Sequence, residues 1–242
     1  MFSSVPFIQA KQVHKSVNTA DGPLTILQDI QLNINQGESV ALVGSSGSGK
    51  STLLGLLAGL DTPTRGEIVL AGYRIDHVDD DERARIRAQH VGFVFQQFLL
   101  LPALTALENV ALPAELAGQT QARQRAIELL QEVGLGQRMH FFPSQLSGGE
   151  QQRVAIARAF MTAPKILFAD EPSANLDSQT GRRVEDLLFE MNRTQGTTLV
   201  LVTHNPALAA RCQQQYQLNN GVLVQISAVN TAIEPTGHSY VG

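Results

Sequence analysis

The chain has 242 residues, 43% of them apolar, and a formal net charge of −4. That length can bury a sizeable core, while the acidic balance argues against an extended nucleic-acid footprint. A single cysteine, Cys212, excludes an internal disulfide and reads as a packing residue, and the six histidines show no metal-ligand spacing with it.

In chain order, Phe7 to Val13 reads as a strand, Asn18 to Pro23 as a turn, and Ile30 to Ile34 as a second, alternating strand. Ser39 to Val43 is apolar throughout, as a strand buried on both faces would be. The glycine-rich stretch 44–49 then leads into an apolar helix from Thr52 to Ala58. Asp61 to Gly66 breaks the chain, Glu67 to Leu70 resumes as a strand, and Asp79-Asp80-Asp81-Glu82 leads to Arg83, Arg85 and Arg87. Acids first and bases later suit the dipole of a solvated helix. Val91 to Phe95 is a further strand.

Between Gln97 and about Gln145 the pattern turns helical, over Leu104 to Ala117 and Gln121 to Val133, with Ile127, Leu129, Leu130 and Val133 on the apolar face. Strands return at Ile166 to Ala169 and Thr198 to Val202, separated by helical segments at Gly149 to Met161 and Gln179 to Thr194. Asn219-Asn220-Gly221 joins two short strands as a hairpin, and the tail from Ser227 is polar enough to fray. Buried strands alternating with helices predict an α/β fold with a largely parallel sheet. The longest near-apolar run, Leu53 to Leu60, is too short to cross a bilayer, and the N-terminus lacks a basic-then-apolar leader, so a cytosolic location is expected.

Three stretches carry chemistry. Gly44-Ser45-Ser46-Gly47-Ser48-Gly49-Lys50-Ser51, followed by Thr52, lies between strand and helix as a phosphate cradle. Lys50 is placed to reach the β- and γ-phosphates and the Ser51 hydroxyl to hold magnesium. Asp170 and Glu171 end an apolar strand, where ligands of α/β sheets bind. Their divergent side chains suit two tasks: Asp170 on magnesium through water, Glu171 on an attacking water. Leu146-Ser147-Gly148-Gly149-Glu150 opens a helix with capping-box spacing. The paired glycines ask for more than a cap, since each costs up to roughly 1 kcal/mol against alanine within a helix, and a phosphate approaching bare backbone would explain them.

The phosphate loop, Gln96, residues 146–153, Asp170-Glu171, Ser173 to Asp177 and His204, in this order, resemble the ATP-binding subunit of an ABC transporter over about residues 7–226. The resemblance implies a P-loop NTPase fold: one domain with a core at 5–96 and 146–226, an N-terminal antiparallel part, a helical subdomain at about 97–145 and a polar tail at 227–242. It implies a homodimer packed head to tail around two ATP, each nucleotide between the phosphate loop of one copy and the Ser147-Gly148-Gly149 helix start of the other. It further implies Gln96 at the magnesium shell, Asp177 at the dimer contact and His204 on the γ-phosphate.

Val17 falls where this family commonly has an aromatic, and it offers adenine a smaller face. Asn205 stands where aspartate is usual, and Ser173-Ala174 replaces a common Thr-Gly. Phe98 to Gly118 is similar to the lipoprotein-releasing and macrolide-efflux branch. That likeness implies a membrane permease with a periplasmic domain as partner, docked at the apolar residues after Gln96, with the subunit on the inner face of the cell membrane and no nucleic acid involved. A soluble ABC ATPase is the alternative, though such proteins usually carry two cassettes or a long coiled coil; a non-hydrolysing regulatory subunit is the other, and Glu171 and His204 weigh against it.

Overall fold

A computed structural model describes residues 6–20 and 22–228. Two sheets share one core. The first is antiparallel, in the order β2-β1-β4-β5, and consists of β1 (Ile8–Thr19), β2 (Gly22–Ile34), β4 (Arg65–Leu70) and β5 (Tyr73–Arg74). The second runs β10-β9-β3-β8-β7-β6, with β3 (Ser39–Val43), β6 (Val91–Val94), β7 (Ile166–Asp170), β8 (Thr198–Val202), β9 (Gln214–Asn219) and β10 (Val222–Ala228). Its pairings are parallel except β10 on β9.

Strand period divides the interior cleanly. Val40, Leu42, Ile166, Phe168, Val200 and Val202 face the antiparallel sheet and α1 (Lys50–Leu57). Their neighbours Ala41, Leu167, Ala169, Leu199 and Leu201 face α5 (Gly148–Phe160) and α6 (Ser178–Gln195). With both faces covered, these strands have no polar side to alternate with, which is why they read as continuous apolar runs.

α2 (Asp80–His90) is capped by Asp79, which accepts from the Glu82 amide at 2.8 Å. α3 (Ala106–Leu116) and α4 (Ala122–Glu132) pack on α5 through Leu107, Val110, Leu129, Leu130 and Val133. Ile127, expected on that face, is only half-buried at its edge. Cys212 is buried, and desolvation pushes its thiol up to about 12, consistent with a packing role. The hairpin between β9 and β10 turns through Asn220 and Gly221, both at positive φ.

The antiparallel strands are longer than expected, and Asn18 to Pro23 belongs largely to β1 and β2 instead of a wide turn. α7 (Pro206–Ala209) is short and was not expected. Asn205 caps it, accepting from the Ala207 amide at 3.0 Å, as an aspartate there would. The expected fraying of the tail falls mainly beyond residue 228, outside the described residues.

Candidate functional site

The carboxyl ends of β3, β7 and β8 and the start of α1 converge on a cleft of about 860 Å³. The loop after β3 contributes Gly44, Ser45, Ser46, Gly47 and Gly49, and α1 contributes Lys50, Ser51 and Thr52. Gly47 and Gly49 sit at φ +77° and +100°, where a side chain would be strained, so the loop can turn back on itself and open α1 toward the cleft. Ser48 does not line the cleft; it is buried beneath the loop. The Lys50 ammonium folds back along the loop and donates to the carbonyls of Gly44 at 2.9 Å and Ser45 at 2.8 Å.

Across from the loop, Asp170 Oδ2 accepts from the Ser51 hydroxyl at 3.1 Å. Burial pushes the Asp170 carboxyl above its ordinary range, and the neighbouring Glu171 charge adds to the rise against the pull of Ser51 and Lys50. Glu171 takes φ +47°, a conformation that a non-glycine residue holds only when its surroundings over-determine it. Its amide donates to the Val202 carbonyl at 2.9 Å and its carbonyl accepts from the Ala174 amide at 3.2 Å. The turn brings Glu171 Oε1 to 2.7 Å from His204 Nδ1. His204 is exposed and therefore is not a satisfied core histidine. Gln96 also lines the cleft, with its side-chain amide 3.3 Å from Asn175 Oδ1.

The structure thus brings Lys50, Ser51, Asp170, Glu171, His204 and Gln96 to one place. Residues 146–150 line none of it. Ser147 caps α5 with the reciprocal bonds expected of a capping box: the Glu150 amide donates to Ser147 Oγ at 3.3 Å and the Ser147 amide to Glu150 Oε2 at 2.8 Å. The close approach that requires Gly149 is intramolecular, because a Cβ there would lie 2.2 Å from Thr180 Cγ2 on α6. Asp177 caps α6, accepting from the amides of Gln179 at 3.1 Å and Thr180 at 3.0 Å, and those bonds, Thr180 foremost, hold its carboxyl below the usual range.

Leu24 and Ile26 on β2 also line the cleft, and sequence reading did not single them out. Leu24 is the cross-strand partner of Val17, which does not itself line the cleft. Their only sequence signal was large apolar residues in a stretch otherwise polar. A separate apolar groove of about 460 Å³ lies between β6 and α3, lined by Phe93, Phe95, Leu112, Pro113 and the strongly exposed Leu116.

The ABC transporter family profile matches residues 27–174, more than half of the chain and most of the cleft. The chain belongs to the ABC transporter ATPases. The cassette is 54% identical over 218 residues to the ABC transporter ATP-binding protein YbbA of Escherichia coli K12, covering 89% of this chain and 96% of that one. It is 47% identical to the lipoprotein-releasing system ATP-binding protein LolD of Alcanivorax borkumensis, over 92% and 99% of the two chains. The dimeric cassette MJ0796, solved in a post-hydrolysis state bound to ADP and Pi, superposes with a TM-score of 0.82 at 40% identity, covering 91% of this chain and 99% of that one. The expected ABC-type ATPase fold and the likeness to the lipoprotein-releasing branch both hold. No helix among the described residues is long and apolar enough to cross a membrane.

Proposed function

We propose that this cassette is the ATP-hydrolysing subunit of a membrane transporter, working as a head-to-tail homodimer around two ATP. The observation that carries the reading is the placement of Glu171, steered by His204, beside the Lys50 loop and the Asp170–Ser51 pair, while the Ser147 helix start lies elsewhere on the chain. A cleft so furnished binds and cleaves a triphosphate, and the unused helix start is left for the ATP of a second copy.

ATP lies with its phosphates against the loop amides and Lys50, and its base against Leu24 and Ile26. Glu171 orients a water in line with the γ-phosphorus and takes its proton as the new P–O bond forms and the bond to the β-phosphate oxygen breaks, releasing ADP and phosphate. His204 positions Glu171 and can donate to a γ-oxygen. The oxygen donors of Ser51 and Asp170 fit a hard cation, and burial of Asp170 is the penalty such a charge relieves. Magnesium held there, with Gln96 at its shell, supplies charge neutralisation on the phosphates. Ser147, Gly148 and Asp177 of one copy serve the nucleotide of the other.

The relatives support a permease partner of the lipoprotein-release or macrolide-efflux kind, with a periplasmic domain that ATP-driven closure moves mechanically. The apolar groove between β6 and α3 supports docking of a cytoplasmic helix of that permease, which holds the subunit on the inner face of the membrane. No nucleic acid is involved. Glu171→Gln should keep ATP binding, cut hydrolysis by a factor on the order of a hundred or more, and trap a dimer seen by light scattering. Lys50→Ala should weaken nucleotide binding itself. Undiminished turnover by Glu171→Gln, or recovery of only soluble proteins with a tagged copy, would overturn the respective halves of this reading.

A further inference from the structure

Gln152 is a polar side chain that nothing in the cleft explains. It lies on α5 with 0% exposure, five residues beyond the Ser147 cap. Its Nε2 donates to the Pro172 carbonyl at 2.7 Å and, over a longer 3.4 Å, to the Phe95 carbonyl. Pro172 follows Glu171, and Phe95 precedes Gln96. Two carbonyl acceptors ask for an end with two N–H donors, and the amide nitrogen is the neutral end that has them, which also fixes the orientation of the amide. Its Oε1 accepts no hydrogen bond among the described residues. An apolar side chain would fill that volume without a dry oxygen, so packing does not account for a glutamine there.

The same two loops are tied again on the outside. Asn175 Nδ2 donates to the Gln96 carbonyl at 3.0 Å, and Gln96 Nε2 donates to Asn175 Oδ1 at 3.3 Å. Glu171, in its left-handed conformation, comes immediately before the first of these ties, and that conformation relaxes unless the flanking chain is held. We propose that Gln152 is a positioning residue: with Asn175 it yokes the backbone at 95–96 to the turn at 171–175, so that the Glu171 carboxylate meets His204 only while the Gln96 segment is in register. The inference rests on the ATPase reading above and assigns to α5, whose first residues line none of its own cleft, a role inside its own chain.

The test compares Gln152→Glu and Gln152→Met. Gln152→Met has the length and no donor, so kcat should fall roughly tenfold, the usual scale for losing an outer support, with KM for ATP within about twofold because Gln152 touches none of the phosphate loop. In Gln152→Glu a protonated carboxyl can donate to the Pro172 carbonyl and a carboxylate cannot, and burial raises its pKa. Its turnover relative to the unaltered chain should therefore climb as pH falls from 8 to 6, while the ratio for Gln152→Met stays flat. Amide hydrogen exchange at 173–176 should speed up in Gln152→Met, and in the exposed variant Asn175→Ala if the core substitutions do not fold. Unchanged kcat in Gln152→Met, a pH-independent ratio for Gln152→Glu, or unchanged exchange at 173–176 overturns the yoke. Absence of turnover in the unaltered chain would instead count against the ATPase reading, and the exchange measurement then decides the yoke alone.

Discussion

Asp170 carries its charge at a cost to the fold. Burial raises its pKa, so the folded chain binds a proton there more tightly than the unfolded chain does. An ionised Asp170 therefore opposes folding. The penalty is complete above the raised folded value, shrinks as pH falls through it, and is gone below the ordinary carboxylate range. Asp170→Asn keeps the acceptor for Ser51 and removes the charge. In metal-free buffer it should melt at a higher temperature than the unaltered chain at pH 7.5, with the gap closing toward pH 4. Its magnesium-dependent hydrolysis should fall by a factor on the order of ten to a hundred. A lower melting temperature at pH 7.5 would show that the Ser51–Asp170 hydrogen bond outweighs the desolvation of the charge.

At the scale of elements, α5 and α6 are set by how closely Gly149 meets Thr180. A methyl group at 149 would sit 2.2 Å from Thr180 Cγ2, and the cap that Asp177 provides fixes the first turn of α6 against shifting. Gly149→Ala should thus destabilise by roughly 1–3 kcal/mol in urea melts, although alanine is intrinsically the better helix former by about 1 kcal/mol. Adding Thr180→Ser, which deletes the clashing carbon, should restore most of the loss. In the sequence the paired glycines point to a phosphate approaching bare backbone; the neighbour that the fold sets against Gly149 is Thr180, and a tertiary neighbour thirty-one residues along leaves no local signal. The strands of the central sheet were legible because burial on both faces writes itself into composition. β1 and β2 were legible only in their inner halves. Register shifts between Ala10 and Val13 and between Val13 and Lys15, with Gln12 and Asp29 at positive φ, break the alternation, and the outer halves are largely exposed. In the cleft, Lys50, Ser51, Asp170 and Glu171 announced themselves by motif. Leu24 did not, and Gln152 and Asn175, outside the cleft but inside motifs, gave no sign of which carbonyls they hold, since that comes from what the fold lays beside them.

For the molecule as a whole, the decisive question is whether a second copy completes each reaction centre. Head-to-tail pairing and a self-sufficient cleft make opposite forecasts for a mixture of two disabled copies. Lys50→Ala damages the phosphate loop of the copy that carries it. Ser147→Asp keeps an N-cap, since aspartate caps as well as serine, but sets a negative charge where a phosphate of the neighbour should rest. Each variant alone has two damaged centres. In a mixed dimer the centre that joins the intact loop of the Ser147→Asp copy to the intact Ser147 of the Lys50→Ala copy carries neither change, while the other centre carries both. Equal mixing at random puts half of the dimers in the mixed form, each with one sound centre, so about a quarter of the ATPase rate of the unaltered protein should return. If Ser147 instead acts only as the cap of its own helix, mixing returns nothing beyond the sum of the two separate rates. A control copy carrying both substitutions, mixed with the unaltered chain, damages one component of each centre in every mixed dimer. Activity there should come from the unaltered homodimer alone, which separates true sharing of the site from mere stabilisation of one copy by another.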